Sequence, residues 1–259
     1  MKSKDFTRLI EEPCIFKKND THALVYVDDL IMTGGKQTIQ AIRNLDFQLS
    51  KDPVDLHDEK FVGPVYQWTP LGVFVSTSDY VTKHVFHPNL KGKPPATPLP
   101  FNVKEILKET PEPLENPWQI TQMRKITGEV SYLANFRIDL AVAAHTLSLF
   151  GAVPTRQSLE LAHRVAKYAH LTKHYGSFIP EPKKGDRLVS FVDASLNHKT
   201  GHTGFVIGIM HPTQPPHPQP DDPALESVQF FPLFWKASNK VEWCTAVWLL
   251  SSMLCIDAQ

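Results

Sequence analysis

ALVYVDDLIMTGG, residues 23–35, is the stretch on which the reading of this chain turns. Ala23–Val27 is a short apolar run. Asp28 and Asp29 follow, Leu30–Met32 is apolar again, and Gly34-Gly35 closes the segment. That order predicts a strand, a tight turn and a second strand. Two adjacent carboxylates at a hairpin tip repel one another, and a divalent cation offsets the repulsion. Mg²⁺ prefers carboxylate oxygens and keeps several waters, which leaves room for substrate phosphates. Asp28 and Asp29 are therefore candidate metal ligands, with an acidic solvated turn as the plainer alternative.

The bulk composition narrows the field around this hairpin. Lys plus Arg and Asp plus Glu are both 27, so the formal charge is zero. A uniformly basic nucleic-acid glove and an acidic solvating tail are both excluded. The three cysteines (Cys14, Cys244, Cys255) form no CxxC pair and no metal-ligand spacing. They read as reduced thiols of an intracellular protein. No apolar run reaches membrane-spanning length, so no membrane partner is expected.

The 22 prolines cluster, and the clusters mark seams. Residues 93–118 read as an extended Pro-rich linker with one helical turn around Val103–Lys108. Residues 211–223 read as a polar Pro-rich loop inside a later domain. Upstream of the first seam, Thr38–Leu49 has the spacing of an amphipathic helix. Phe61–Tyr66 and Val73–Ser76 flank Thr69-Pro70-Leu71-Gly72 and look like a hairpin. Between the seams, Ile120–Leu133, Leu140–Phe150 and Ser158–Thr172 are helical, the last of them ended by Gly176. After Gly185 the pattern returns to strands at Arg187–Val192, Gly204–Ile209 and Phe230–Trp235. Thr245–Ile256 is apolar enough for a buried helix.

These pieces together carry a resemblance. ALVYVDDLIMTGG looks like the active-site hairpin of reverse transcriptases, most closely that of copia-type retrotransposon Pol polyproteins. Glu12–Phe16, Lys60–Tyr66 and Ser76–Val81 resemble strands and segments around that hairpin. Met123–Ser148 reads MRKITGEVSYLANFRIDLAVAAHTLS, against a family pattern close to YRxLxGxLxYLxxxRPDIxxAVxxLS. Ile138 stands where the pattern has Pro. Phe191–Ser195, Thr203–Val206 and Phe234–Ser238 resemble strands of the ribonuclease H module.

The resemblance implies an α+β fold. Residues 1–92 would form a partial reverse-transcriptase palm with the YVDD hairpin, and 93–118 the linker. Residues 119–184 would form a helical, thumb-like connection, and 185–259 an incomplete ribonuclease H-like α/β domain. It implies Mg²⁺ as cofactor, Asp28, Asp29 and Asp193 as catalytic metal ligands, and an RNA–DNA hybrid or template–primer as partner. Tyr26, Arg164, Lys167 and Lys173 become candidate nucleic-acid contacts. Residues 151–190 support this with seven Lys/Arg against three Asp/Glu, a local charge of +4.

The family's polymerase also needs an upstream carboxylate strand, for which the 25 residues before Tyr26 offer no match. Its nuclease needs a Glu on the next helix, where Trp248 stands. The expectation is therefore a catalytically inactive fragment, unless other polyprotein segments complement it. A non-catalytic nucleic-acid-binding or protein-interaction remnant is the alternative.

Overall fold

The computed structural model describes residues 6–10, 12–19, 21–34, 59–87, 91, 95–106, 112–196, 201–211 and 229–238. The fold is mixed α+β, built of small antiparallel sheets and helices. Two compact units divide it, Met1–Trp68 and Thr69–Gln259. The helices expected at Thr38–Leu49 and Thr245–Ile256 lie outside the described residues, as do Trp248 and most of the second Pro-rich loop.

In the first unit four strands form an antiparallel meander: β1 (Thr7–Arg8), β2 (Ile15–Lys18), β3 (Thr21–Tyr26) and β4 (Asp29–Thr33). Asn19, at φ 52°, turns β2 into β3. Asn is one of the few residues that tolerates this left-handed region. Ala23 is fully buried and pairs with Phe16 on one side and Met32 on the other. Strand β5 (Glu59–Lys60) pairs with β6 (Val65–Thr69). Phe61–Pro64 is thus a turn and not the strand the sequence suggests. Val62 and Gly63 both adopt positive φ (53° and 112°), and the Phe61 N–H donates to the Pro64 carbonyl at 3.1 Å.

The second unit opens with β7 (Gly72–Ser76) and α1 (Ser78–His84), followed by the short α2 (Val103–Ile106). Its core lies among α3 (Pro117–Leu133), α4 (Ala141–Ser148) and α5 (Arg156–Leu171), with a 3₁₀ turn at Ile138–Leu140. Asn116 caps α3 by accepting from the Trp118 N–H at 2.9 Å, with Pro117 at the first helical position. Thr155 and Ser158 form a reciprocal capping box on α5. Met123, Ile126, Val130 and Leu133 on α3 are fully buried, and so are Ala162, Val165, Ala166 and Ala169 on α5. The i, i+3, i+4 spacing read from sequence is what puts each set on one face.

Gly176 does not end α5, which stops at Leu171 with Thr172 as its cap. Gly176 instead opens β8 (Gly176–Pro180), which pairs with β7 from Gly72↔Pro180 to Ser76↔Gly176. A Cβ on Gly176 would run into the Val75 carbonyl and the Phe74 ring. One on Gly72, at φ 144°, would strike the Ile179 carbonyl. Both glycines are there because two backbones pass too closely for a side chain.

A three-stranded antiparallel sheet completes the unit: β9 (Arg187–Leu196), β10 (Gly201–Met210) and β11 (Phe230–Ser238), in the order β11-β10-β9. The register shifts between Ile207 and Gly208 against β11, so that Ile207 faces Phe234 and Gly208 faces Pro232. This bulge is where a strand tolerates a proline.

Three buried polar side chains tie the unit together. Arg137 is 1% exposed. Its Nε and Nη2 donate to the two Asp139 oxygens at 3.2 and 2.6 Å. Nη1 reaches the Thr172 carbonyl at 3.1 Å and Nη2 the Thr172 hydroxyl at 2.8 Å. The guanidinium also sits over the rings of Tyr168 and Tyr175, 5.7 and 5.5 Å from their centroids. Tyr168 donates to Asp139 at 3.0 Å. Burial and the neighbouring Asp139 charge push its phenol up to about 12. Glu129 accepts from the Phe86 N–H at 2.9 Å. His170 is buried at 8% exposure. Its Nε2 lies 3.2 and 3.1 Å from the Val85 and Phe86 carbonyls, so it donates to both.

Two predictions follow from this core. Breaking a buried ion pair by removing one partner costs about 3–5 kcal/mol, so Arg137→Ala lowers the unfolding free energy by that amount in urea titrations. Arg137→Lys recovers only part of the loss, because an ammonium lacks the planar fork. An Arg137→Ala unfolding free energy within about 1 kcal/mol of the parent would sink the idea.

The second concerns pH. Desolvation lowers the pKa of both His163 and His170, and for His170 the neighbouring His87 and Lys173 add to it. Unfolded, each titrates near 6.5. The unfolded chain therefore takes up protons first as pH falls, and stability drops from about pH 6.5 towards the lowered folded values. His163→Phe removes one of the two groups and flattens that decline in urea titrations between about pH 5 and 7.5. An unchanged slope would refute the assignment.

Candidate carboxylate sites

The β3–β4 hairpin places its acidic residues by register alone. Tyr26 pairs with Asp29, so only Val27 and Asp28 bridge the two strands. Asp28 occupies the loop and Asp29 opens β4. Both are exposed, as are Tyr26 (51%) and Val27 (84%). Val27 has φ 52°. Two-residue hairpin loops need positive φ at the first central residue, which Gly or Asn normally supplies. A β-branched residue there is strained. The structure thus brings Asp28, Asp29 and Tyr26 together on one tip and holds them on a strained turn.

Asp193 lies in the second unit, on β9 opposite Gly204 of β10. It is exposed, and its Oδ1 accepts from the Ala194 N–H at 2.9 Å. It borders a cavity of about 310 Å³ lined by Ile138, Val142, Phe191, Trp235 and Lys236 among others. Trp235 is fixed by donating from Nε1 to the Ala134 carbonyl at 2.6 Å. Among the described residues, no group of three or more His, Cys, Asp or Glu side chains is arranged to hold a metal ion.

The candidate nucleic-acid contacts divide. Lys173 is exposed just beyond α5. Arg164 donates from Nη2 to the Thr97 carbonyl at 3.2 Å, and Lys167 from Nζ to the Lys91 carbonyl at 2.6 Å. Arg164 thus fastens α5 to the Pro-rich linker, and Lys167 fastens it to the chain just before that linker. Sequence reasoning missed this attachment, and no local signal foretells it, because the partners are backbone carbonyls 67 and 76 residues away.

The strain at Val27 has a measurable consequence. Releasing a left-handed L-residue is worth about 1–2 kcal/mol, and the added freedom of an unfolded glycine takes back about 0.5–1. Val27→Gly therefore stabilises the hairpin by up to about 1.5 kcal/mol. Slower amide exchange of β3 and β4 reads it out, and faster exchange would contradict it.

No protein-family model matches the chain. It is similar to the retrovirus-related Pol polyprotein from transposon RE1 of Arabidopsis thaliana, with 33% identity over 175 residues, 66% of this chain and 11% of the polyprotein. It is 32% identical over 173 residues to the retrovirus-related Pol polyprotein from transposon RE2 of the same plant, 64% of this chain and 11% of that polyprotein. An uncharacterized mitochondrial protein of Arabidopsis thaliana is 30% identical over 171 residues, 63% of this chain and 67% of that protein. The chain therefore spans about a tenth of the length of the two polyproteins it matches. With the YVDD hairpin and the Met123–Ser148 pattern in place, the chain belongs to the family of copia-type retrotransposon Pol polyproteins.

Proposed function

We propose that this chain corresponds to the part of a copia-type Pol polyprotein that joins the reverse-transcriptase palm to ribonuclease H, and that it does not turn over substrate alone. Residues 1–92 supply the YVDD hairpin, 93–118 the linker, 119–184 the helical connection and 185–259 the first ribonuclease H-like strands. The observation that carries the reading is the β3–β4 tip. Two exposed carboxylates and an exposed Tyr26 sit in or beside a two-residue turn whose first residue, Val27, is strained. Backbone outliers of this kind persist where a site gains from them.

The donor set at that tip suits Mg²⁺, whose ligands are hard oxygens. Asp28 and Asp29 would hold it, and bound Mg²⁺ would supply charge stabilisation to a phosphoryl group. Tyr26 would lie beside a template–primer end. Asp193 offers one more carboxylate oxygen in the ribonuclease H-like part. Neither place gathers a third His, Cys, Asp or Glu ligand among the described residues. On this reading the tip binds metal weakly, and catalysis needs ligands that another polyprotein segment adds.

Two measurements test this. Mn²⁺ should broaden the amide signals of the β3–β4 tip, and Asp28→Asn or Asp29→Asn should abolish the broadening. No broadening would end the metal reading. Primer extension and RNA–DNA hybrid cleavage with Mg²⁺ or Mn²⁺ should give no product. Activity that vanished in Asp28→Asn or Asp193→Asn would overturn the inactive assignment.

A further inference from the structure

The face of the last sheet that carries Asp193 is stepped. Directly paired residues of adjacent strands point to the same side. Phe191, Val206 and Trp235 therefore form one row across β9, β10 and β11, and Asp193, Gly204 and Ala237 form the next. The first row is bulky, and the second is small at β10 and β11. Gly204 is the low point. A Cβ placed on it would have the Lys236 carbonyl as its nearest neighbour, at 3.8 Å, so there is room above it for more than a methyl group. This step borders the cavity of about 310 Å³, which Ile138 and Val142 also line. Lys236 borders it as well, but between Trp235 and Ala237 its side chain leaves from the opposite face of the strand.

We infer that this hollow binds a small alkylated ammonium ion, of the trimethylammonium type, between Phe191 and Trp235 and against Asp193. Two strand spacings put Phe191 and Trp235 roughly 10 Å apart. A cation between them comes within about 6 Å of both ring centroids, the range in which an aromatic face attracts it. Both rings are held in place. Trp235 donates to the Ala134 carbonyl, and Phe191 meets Phe230 edge-on at 5.2 Å and 82°. Phe191 is 54% exposed, which leaves ring surface for a ligand. Asp193, two residues along β9, supplies the counter-charge. One of its oxygens accepts from the Ala194 N–H, and a carboxylate has acceptor sites beyond that bond. A primary ammonium carries three donors, too many for one carboxylate among apolar walls. A methylated one presents methyl groups to Val206, Ile138 and Val142 instead. Mg²⁺ suits this hollow poorly, since it demands an octahedron of oxygens and dehydrates reluctantly. None of this depends on metal at the β3–β4 tip.

Titration of the full chain with choline, followed by NMR at the Gly204 amide and the Trp235 indole, tests the site. Saturable shifts are expected. Dimethylbutanol, the neutral carbon isostere of choline, should bind on the order of tenfold more weakly. Asp193→Asn raises the choline Kd by roughly fivefold and leaves that of the isostere unchanged. Phe191→Leu also weakens choline selectively, because Leu keeps the apolar bulk and loses the ring. Gly204→Leu fills the hollow and abolishes binding of both probes in a chain that still melts cooperatively. Shifts that never saturate, an isostere as tight as choline, or a choline Kd indifferent to Asp193→Asn would overturn the proposal. So would displacement of choline by an equal concentration of Mg²⁺, which would assign the Asp193 carboxylate to metal.

Discussion

A buried guanidinium at the end of α3 is the constraint from which the second unit is organised. Taking a charge out of water costs several kcal/mol, and only close geometry with every donor used offsets it. Arg137 makes four such hydrogen bonds, to Asp139 two residues on and to Thr172 thirty-five residues on. The turn just before it, at the end of α3, has carbonyls that the helix itself leaves unsatisfied. Ala134 gives its carbonyl to Trp235 of β11, and Phe136 gives its carbonyl to Ser177 of β8. One helix end therefore sets where α5 stops, where β8 starts and where the last sheet attaches. The apolar faces of α3 and α5 supply the driving force, and this polar knot selects one arrangement from those that would bury the same area.

Elements set by local periodicity were legible in the sequence, and elements set by distant partners were not. The helices expected at Ile120–Leu133 and Ser158–Thr172 form at Pro117–Leu133 and Arg156–Leu171, because an apolar stripe and a cap are properties of a short window. The expected strands at Arg187–Val192, Gly204–Ile209 and Phe230–Trp235 form and run longer. Gly176 was misread because its role is close passage beside Val75 and Phe74, which lie a hundred residues away in sequence. The burial of His170 is set by distant partners in the same way. Its partners, the Val85 and Phe86 carbonyls, reach it only through the packing of the chain after α1. The arginine and aspartate of the family pattern were recognised in sequence, but their burial around Thr172 and Tyr168 was not.

The same distinction separates the two acidic positions. A two-residue turn between paired strands keeps Asp28 and Asp29 at one tip whatever happens elsewhere, since the Tyr26↔Asp29 register puts both there. That is why the motif is readable from thirteen residues. Asp193 has no such self-sufficiency. It sits near the end of β9, and its surroundings depend on Gly204 and Ala237 across the sheet. A carboxylate held locally can keep its motif with few partners, whereas one held by a sheet takes its chemistry from the strands that meet it. The presence of the YVDD tip therefore says which family the chain belongs to more directly than it says what the chain can catalyse. Catalysis needs ligands converging from several elements, and convergence is the property that no short motif encodes.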